Sequence, residues 1–256
     1  MMMKSRFMRY FRFILFAVCL APSITNAQSN TPSKVDFESW WGGEFRYRPI
    51  KKLSFNFQQQ FRLKEYSTQF DRTLSQIETE YKLSKNFEIA GGMRFTWEND
   101  NVGKKQGIET HFRYQFDAAH KFRKKRFGFK NRLRYQRSNE LGVSEIEGDY
   151  PATDFRLKSS MEYDIRKWKL DPKISCEWFY HKQIGELNAF KFFTFSTKTR
   201  FRLETNYKIK KGQNLEFFYM FETGTEVWSP KRARILGARF IYTINHQSRR
   251  NINPQF

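Results

Sequence analysis

The side chains able to act chemically fall into two groups: a few hydroxyl and imidazole groups, and a great many cations. The four histidines, His111, His120, His181 and His246, share no spacing that would seat a metal on one face or in one loop. No metal site and no cofactor is therefore expected. A serine hydrolase needs a nucleophile, a base and a carboxylate that orients the base. Ser160, Ser175 and His181, with Asp164 or Glu177, supply those types within one stretch. No local motif binds them into a unit, and such sets arise by chance in a chain of this size. His111, between Glu109 and Arg113, reads as a member of a charge ladder rather than as a base.

The cations are more emphatic. KFRKKRFGFKNRLRYQR, residues 121–137, holds nine basic residues, four aromatics and no acid. Its centre, KRFGFKNR, approaches an RNA-recognition signature, but Arg126, Lys130 and Arg132 stand where that signature needs glycine, valine and an aromatic. No alternation of helices and strands surrounds it, so nucleic acid is not an expected partner.

The compartment is written at the N-terminus. MMMKSRFMRYFRFILFAVCLAPSITNAQSN has basic residues at Lys4, Arg6, Arg9 and Arg12, a short apolar run from Phe13 to Ala21, and a Thr-Asn-Ala site ending at Ala27. This is the pattern of a cleaved secretory signal over 1–27, followed by a single domain over 28–256. Cys19 lies inside the apolar run rather than after a small residue at its end, which argues against a lipoprotein. Cys176 is then the remaining cysteine, so no disulfide can form within the exported chain, and a core, a metal or a membrane must hold it together.

The formal net charge is +21 and the mean hydropathy is -0.77, yet 18% of residues are aromatic. A chain can be polar on average and apolar along one face, and a period of two residues does that. VDFESWWGGEFRYR places Val35, Phe37, Trp41, Phe45 and Tyr47 on one phase, with Asp36, Glu38, Glu44, Arg46 and Arg48 on the other. LSFNFQQQFRLK repeats the alternation, as do segments near 73–84, 87–98, 107–118, 126–137, 154–166, 170–181, 197–209, 214–225 and 233–244. These eleven segments run about 10 to 14 residues, against about 5 to 6 for a usual strand and about 9 to 11 for one that crosses a bilayer at a tilt. Short connections (PIKK, SKN, AHKFRKK, RKWK, KKGQ) alternate with longer ones near 66–72, 99–106, 138–153, 182–196 and 226–232. Trp40, Trp41, Tyr47, Tyr66, Trp97, Trp168, Trp178, Tyr180, Tyr207, Trp228 and Tyr242 fall near segment ends, where an interfacial aromatic belt would lie. The expectation is an all-β fold, a single antiparallel transmembrane barrel of ten to twelve strands. Twelve is favoured because bacterial barrels have even counts.

WWGGEFRY, PIKKLSFNFQQQFRLKE, LSKNFEIAGGMRF and IKKGQNLEFFYMFE together resemble an outer-membrane barrel family of Gram-negative bacteria known as domain of unknown function 2490. That resemblance implies a barrel and an outer-membrane location, and brings no activity or functional residue with it. Gly237, Phe240 and Tyr242 in LGARFIYTI also resemble the last-strand signal read by the barrel-assembly machinery, although a tail, NHQSRRNINPQF, follows.

Two sites follow from the phases. Lys130, Arg132 and Arg134, with Lys198, Arg200 and Arg202, form an inward basic cluster where a small anionic solute would linger if the lumen is open. If the lumen is closed by its own ion pairs, with Glu109, Asp117, Glu162 and Asp164 as partners, the cluster is structural. Lys121, Arg123, Lys124 and Lys125, with Lys210 and Lys211, form basic turns suited to anionic headgroups of outer-membrane lipids. Cys176, on the apolar phase, reads as an inert small hydrophobe, while Asn131 is a polar residue on that phase without an account. Three functions remain: an outer-membrane structural barrel or small-solute channel, an outer-membrane hydrolase of lipid or envelope polymer, and a secreted polyanion-binding β-protein. The first is preferred.

Overall fold

A computed structural model of the chain describes residues 35–100, 107–143, 150–166, 168, 170–187, 190–224 and 232–246. Within them, eleven strands follow one another: β1 (Val35–Ile50), β2 (Leu53–Lys64), β3 (Gln69–Lys82), β4 (Phe87–Asp100), β5 (Gly107–Lys124), β6 (Phe127–Glu140), β7 (Ala152–Tyr163), β8 (Leu170–Leu187), β9 (Phe190–Lys210), β10 (Gln213–Gly224) and β11 (Arg232–Asn245). The expected signal peptide, loop residues 101–106, 144–149 and 225–231 (with Trp228), Lys167, Lys169 and the tail 247–256 lie outside the described residues.

Each strand pairs antiparallel with the next, and β1 closes the barrel by pairing in parallel with β11, from Val35 opposite Arg232 to Arg48 opposite Asn245. Eleven strands fall inside the expected range, and the preference for twelve is corrected. An even count is needed only if every pair is antiparallel, and one parallel seam lifts that requirement.

The period-two pattern sets the faces. Trp41, Phe57, Phe61, Met93, Phe116, Leu133, Leu157, Trp178, Phe201 and Phe217 all point outward and are exposed. Cys176 shares that face. Asn131 does too, opposite His120 and Ser159, so it belongs to a short polar row across three strands. Inward, an apolar cluster of Trp40, Phe218, Met220, Ala233 and Ile235 joins β1, β10 and β11. Trp40 meets Phe218 edge-on with centroids 6.5 Å apart. Trp40 therefore does not belong to an outer aromatic belt. Its even position carries it to the inside, against the expectation from its nearness to a strand end. Gly237 lies directly opposite both residues, and a β-carbon there would stand 2.2 Å from Phe218 Cζ and 2.5 Å from the Trp40 carbonyl oxygen.

Three connections differ from expectation. The predicted loop at 66–72 is a turn over 65–68, in which Glu65, Tyr66 and Ser67 take φ of 51°, 58° and 64°. The Asp36 carboxylate holds them there, accepting from the Glu65 N–H at 3.0 Å and the Tyr66 N–H at 3.1 Å. The predicted loop at 182–196 is instead a continuation of β8 and β9, which pair out to Leu187 opposite Phe190. That hairpin outruns its neighbours, since β7 leaves β8 at Gln183 and β10 leaves β9 at Lys198. Finally, AHKFRKK is mostly strand: β5 runs through Lys124, and the turn is 125–126.

Candidate functional site

Alternation delivers a polar side chain to the interior at nearly every second residue, and these line a cavity of about 780 Å³. Eight strands make a barrel just wide enough for side chains to fill, and sixteen leave a channel. Eleven sit between these limits, so side chains crowd the interior without filling it.

All six residues of the predicted basic cluster line this cavity. Each is matched by acid. Lys130 is bound to Glu88; Arg132 reaches Glu177 at 3.0 Å and Asp117 at 3.6 Å. Arg134 grips Asp117 with Nε and Nη2, both at 2.6 Å, and touches Glu78 at 3.2 Å. Lys198 lies 3.1 Å from Glu222, to which Arg200 is also bound, and Arg202 holds Glu204 at 2.7 Å and Glu216 at 2.5 Å. Of the four expected acids, Asp117 serves the cluster; Glu109 meets His111 at 3.2 Å instead, and Glu162 and Asp164 are not among the cluster's ion pairs.

The true hub is Glu177. It receives Arg132, Arg156 at 2.8 Å and Arg200 at 3.7 Å, and is almost fully buried. Arg132 reaches it past Lys158, which stands directly opposite Arg132 on β7 and Glu177 on β8. Removing one partner from such a buried set costs about 3–5 kcal/mol, because the rest is left with uncompensated charge.

The predicted basic turns divide. Lys121 is inside β5 and binds Glu88 together with Lys130, so it belongs to the ladder and not to a turn. Arg123 and Lys124 close β5, Lys210 closes β9, and Lys125 and Lys211 occupy turns; all five are exposed at one end of the barrel.

The hydrolase set expected from sequence is not brought together. Ser160 and Ser175 oppose each other, with Ser160 Oγ donating to the Lys130 carbonyl at 3.1 Å. His181 is six residues farther along β8 than Ser175, about 20 Å away at ~3.3 Å per residue. His181 has other company: its Nδ1 lies 2.6 Å from Asp154 Oδ1, and Gln136 Nε2 donates to the same carboxylate at 2.6 Å. Ser196 of β9 is the register partner of His181 and lines the same cavity.

Three cavity arginines lie outside the predicted basic cluster. Arg62 donates to Gln60 Oε1 at 3.0 Å, Arg94 donates through Nε to Gln76 Oε1 at 2.8 Å, and Arg113 donates to Gln115 Oε1 at 3.0 Å. Among the described residues, none of the three forms an ion pair with a carboxylate. Glu78 accepts from two of these amides, Gln115 at 2.6 Å and Gln76 at 3.2 Å. The signal was in the sequence: Gln60 and Arg62, like Arg113 and Gln115, are two apart on one face. An amide thus occupies a place where an acid would neutralise the arginine.

Among solved structures, the chain is similar to the ferric enterobactin receptor PfeA (mutant G324V) of Pseudomonas aeruginosa, at 10% identity and a TM-score of 0.33. The match covers 72% of this chain and 36% of that receptor, so the chain spans about a third of the receptor's length. Comparison with curated proteins returns no match. A family profile, in contrast, matches residues 37–227, most of the barrel. By that match the chain belongs to the family described as "Protein of unknown function (DUF2490)".

Proposed function

We propose that this protein is an outer-membrane β-barrel, exported behind a cleaved signal, whose narrow polar interior passes small solutes. The observation that carries the reading is the outward face. Large apolar side chains stand exposed on β1 to β11 around a closed sheet. Water does not tolerate an apolar surface of that extent on a monomer, and hydrocarbon does. Strands of 12 or more residues are long enough to cross such a layer at a tilt. The partners that follow are outer-membrane lipids around the barrel and the barrel-assembly machinery during biogenesis. The exposed basic residues at the short-turn end, Arg123, Lys124, Lys125, Lys210 and Lys211, suit anionic headgroups at about 1 kcal/mol each. Recovery in the outer-membrane fraction with heat-modifiable gel migration tests the location, and a freely soluble product overturns it. Conductance in a planar bilayer tests passage, and a silent, fully refolded protein overturns that part.

A second reading, an outer-membrane hydrolase, is favoured by the row Asp154, His181 and Ser196 across β7, β8 and β9. Asp154 fixes one imidazole nitrogen, as a base-orienting carboxylate does. The serine is placed by register, with its Cβ about 5 Å from that of the histidine. Labelling of the refolded barrel by a fluorophosphonate, lost in Ser196→Ala, supports this reading. Absence of labelling in the wild type ends it.

A further inference from the structure

The inward arginines are not alike, and the difference locates a ligand. Arg94 on β4 and Arg113 on β5 are direct register partners, both facing the cavity. Like charges directly opposite on neighbouring strands repel each other and are normally avoided or bridged by an acid. Here, among the described residues, no acid bridges them. The fields of Arg113, Arg62, Arg134 and Arg156 all bear on Arg94, and those of Arg156, Arg134 and Arg62 bear on Arg113, opposed there by Asp154. Arg113 Nε is buried and has no hydrogen-bond partner. Arg62 is held over the Trp40 ring at 3.7 Å, which fixes its plane. The side chains that orient these guanidiniums are Gln60, Gln76 and Gln115, whose amide oxygens accept without cancelling charge.

We propose that Arg94 and Arg113, supported by Arg62, form a binding site for a small tetrahedral oxyanion of phosphate type. A guanidinium presents N–H donors in a planar fork matched to two oxygens of such a group, and two opposed forks hold it from both sides. The anion supplies the direct counter-charge that Arg94 and Arg113 lack among the described residues. The inference deepens the proposed passage of solutes by naming their class, and rests on that reading only in placing these side chains in a water-accessible lumen.

The test is isothermal titration of inorganic phosphate into the full-length chain refolded in detergent, with chloride as the background anion. Wild type is expected to bind saturably. Arg94→Gln and Arg113→Gln are each expected to weaken binding about tenfold or more, since a charge-assisted hydrogen bond contributes more than the free energy of a tenfold change. Ser138→Glu places a carboxylate directly opposite Arg113 and is expected to weaken phosphate equally while leaving both arginines in place. Lys85→Gln, exposed in the connection between β3 and β4, removes the same charge and is expected to change affinity less than about twofold. Heat-modifiable migration certifies that each variant is folded; if an arginine variant is not, Ser138→Glu decides. Wild-type protein that fails to bind phosphate, or binding that Ser138→Glu leaves unchanged, overturns the proposal. Binding in micelles with a silent bilayer overturns passage alone, whereas conductance without binding overturns this site alone.

Discussion

Two walls of the same interior use arginine in opposite ways. On β6 to β9, Arg132, Arg134, Arg156, Arg200 and Arg202 are tied to Asp117 of β5 and to Glu177, Glu204, Glu216 and Glu222 of β8 to β10. On β2, β4 and β5, Arg62, Arg94 and Arg113 are tied to glutamines, while Arg72 of β3 keeps Asp71 and Glu98. Both walls bury polar groups with their hydrogen bonds largely made, so satisfaction does not distinguish them. Charge does: the arginines of the first wall are neutralised by carboxylates and stiffen the barrel, whereas Arg62, Arg94 and Arg113 of the second keep theirs.

Substitutions that remove charge should therefore act differently on the two walls. The largest effect is expected from Glu177→Ala, which strips Arg132, Arg156 and Arg200 of their common acid. A loss of about 3–5 kcal/mol should lower the urea midpoint of the refolded barrel steeply. Gly237→Ala tests the apolar seam, which belongs to neither wall. Its new methyl group collides with Phe218 and the Trp40 carbonyl, at a cost of about 1–3 kcal/mol in the same assay, part of which Phe218→Leu should restore. Arg94→Met, on the unpaired wall, should change stability by less than about 1 kcal/mol in phosphate-free buffer, because lost packing is offset by relief of the repulsion with Arg113. A loss there as large as that of Glu177→Ala would erase the distinction between the walls. The smallest effect carries the opposite sign: Ser138→Glu should raise the stability read from the same urea titration by about 0.2–1 kcal/mol, the worth of one opposite-charge pair across strands.

How much of this could be read from the sequence follows from what is local and what is not. Phase is local. Phe55, Phe57 and Phe61 against Ser54, Asn56 and Gln60 fixed which side of β2 faces inward, and the same pattern placed all six predicted cations inside. Pairing is not local. Lys130 meets Glu88 from 42 residues away and Arg132 meets Glu177 from 45, through a stagger that no alternation encodes. Trp40 was misplaced because nearness to a strand end outweighed its even position. The inward apolar cluster was legible in principle, since LEFFYMF is apolar on both phases. The extension of β8 and β9 was hidden because IGELNAF interrupts the alternation just where the two strands turn. His181 was a fair candidate for a base, but the choice of Asp154 and Ser196 as its neighbours required the register.

The parallel closure bears on how the molecule assembles. Ten of its pairings join strands consecutive in the chain, and each can zip from its own connection. The remaining one joins Val35–Ile50 to Arg232–Asn245, a contact order close to the maximum this barrel allows, and it has no hairpin to template it. Its chain-entropy cost falls due only at the end. Until then β1 and β11 present two bare edges, open to each other or to a wrong strand. The cluster of Trp40, Phe218, Met220, Ala233 and Ile235 sits on those strands and their neighbour. By topology it is the latch of a late step, and defects in it are expected to slow closure more than they weaken the finished barrel.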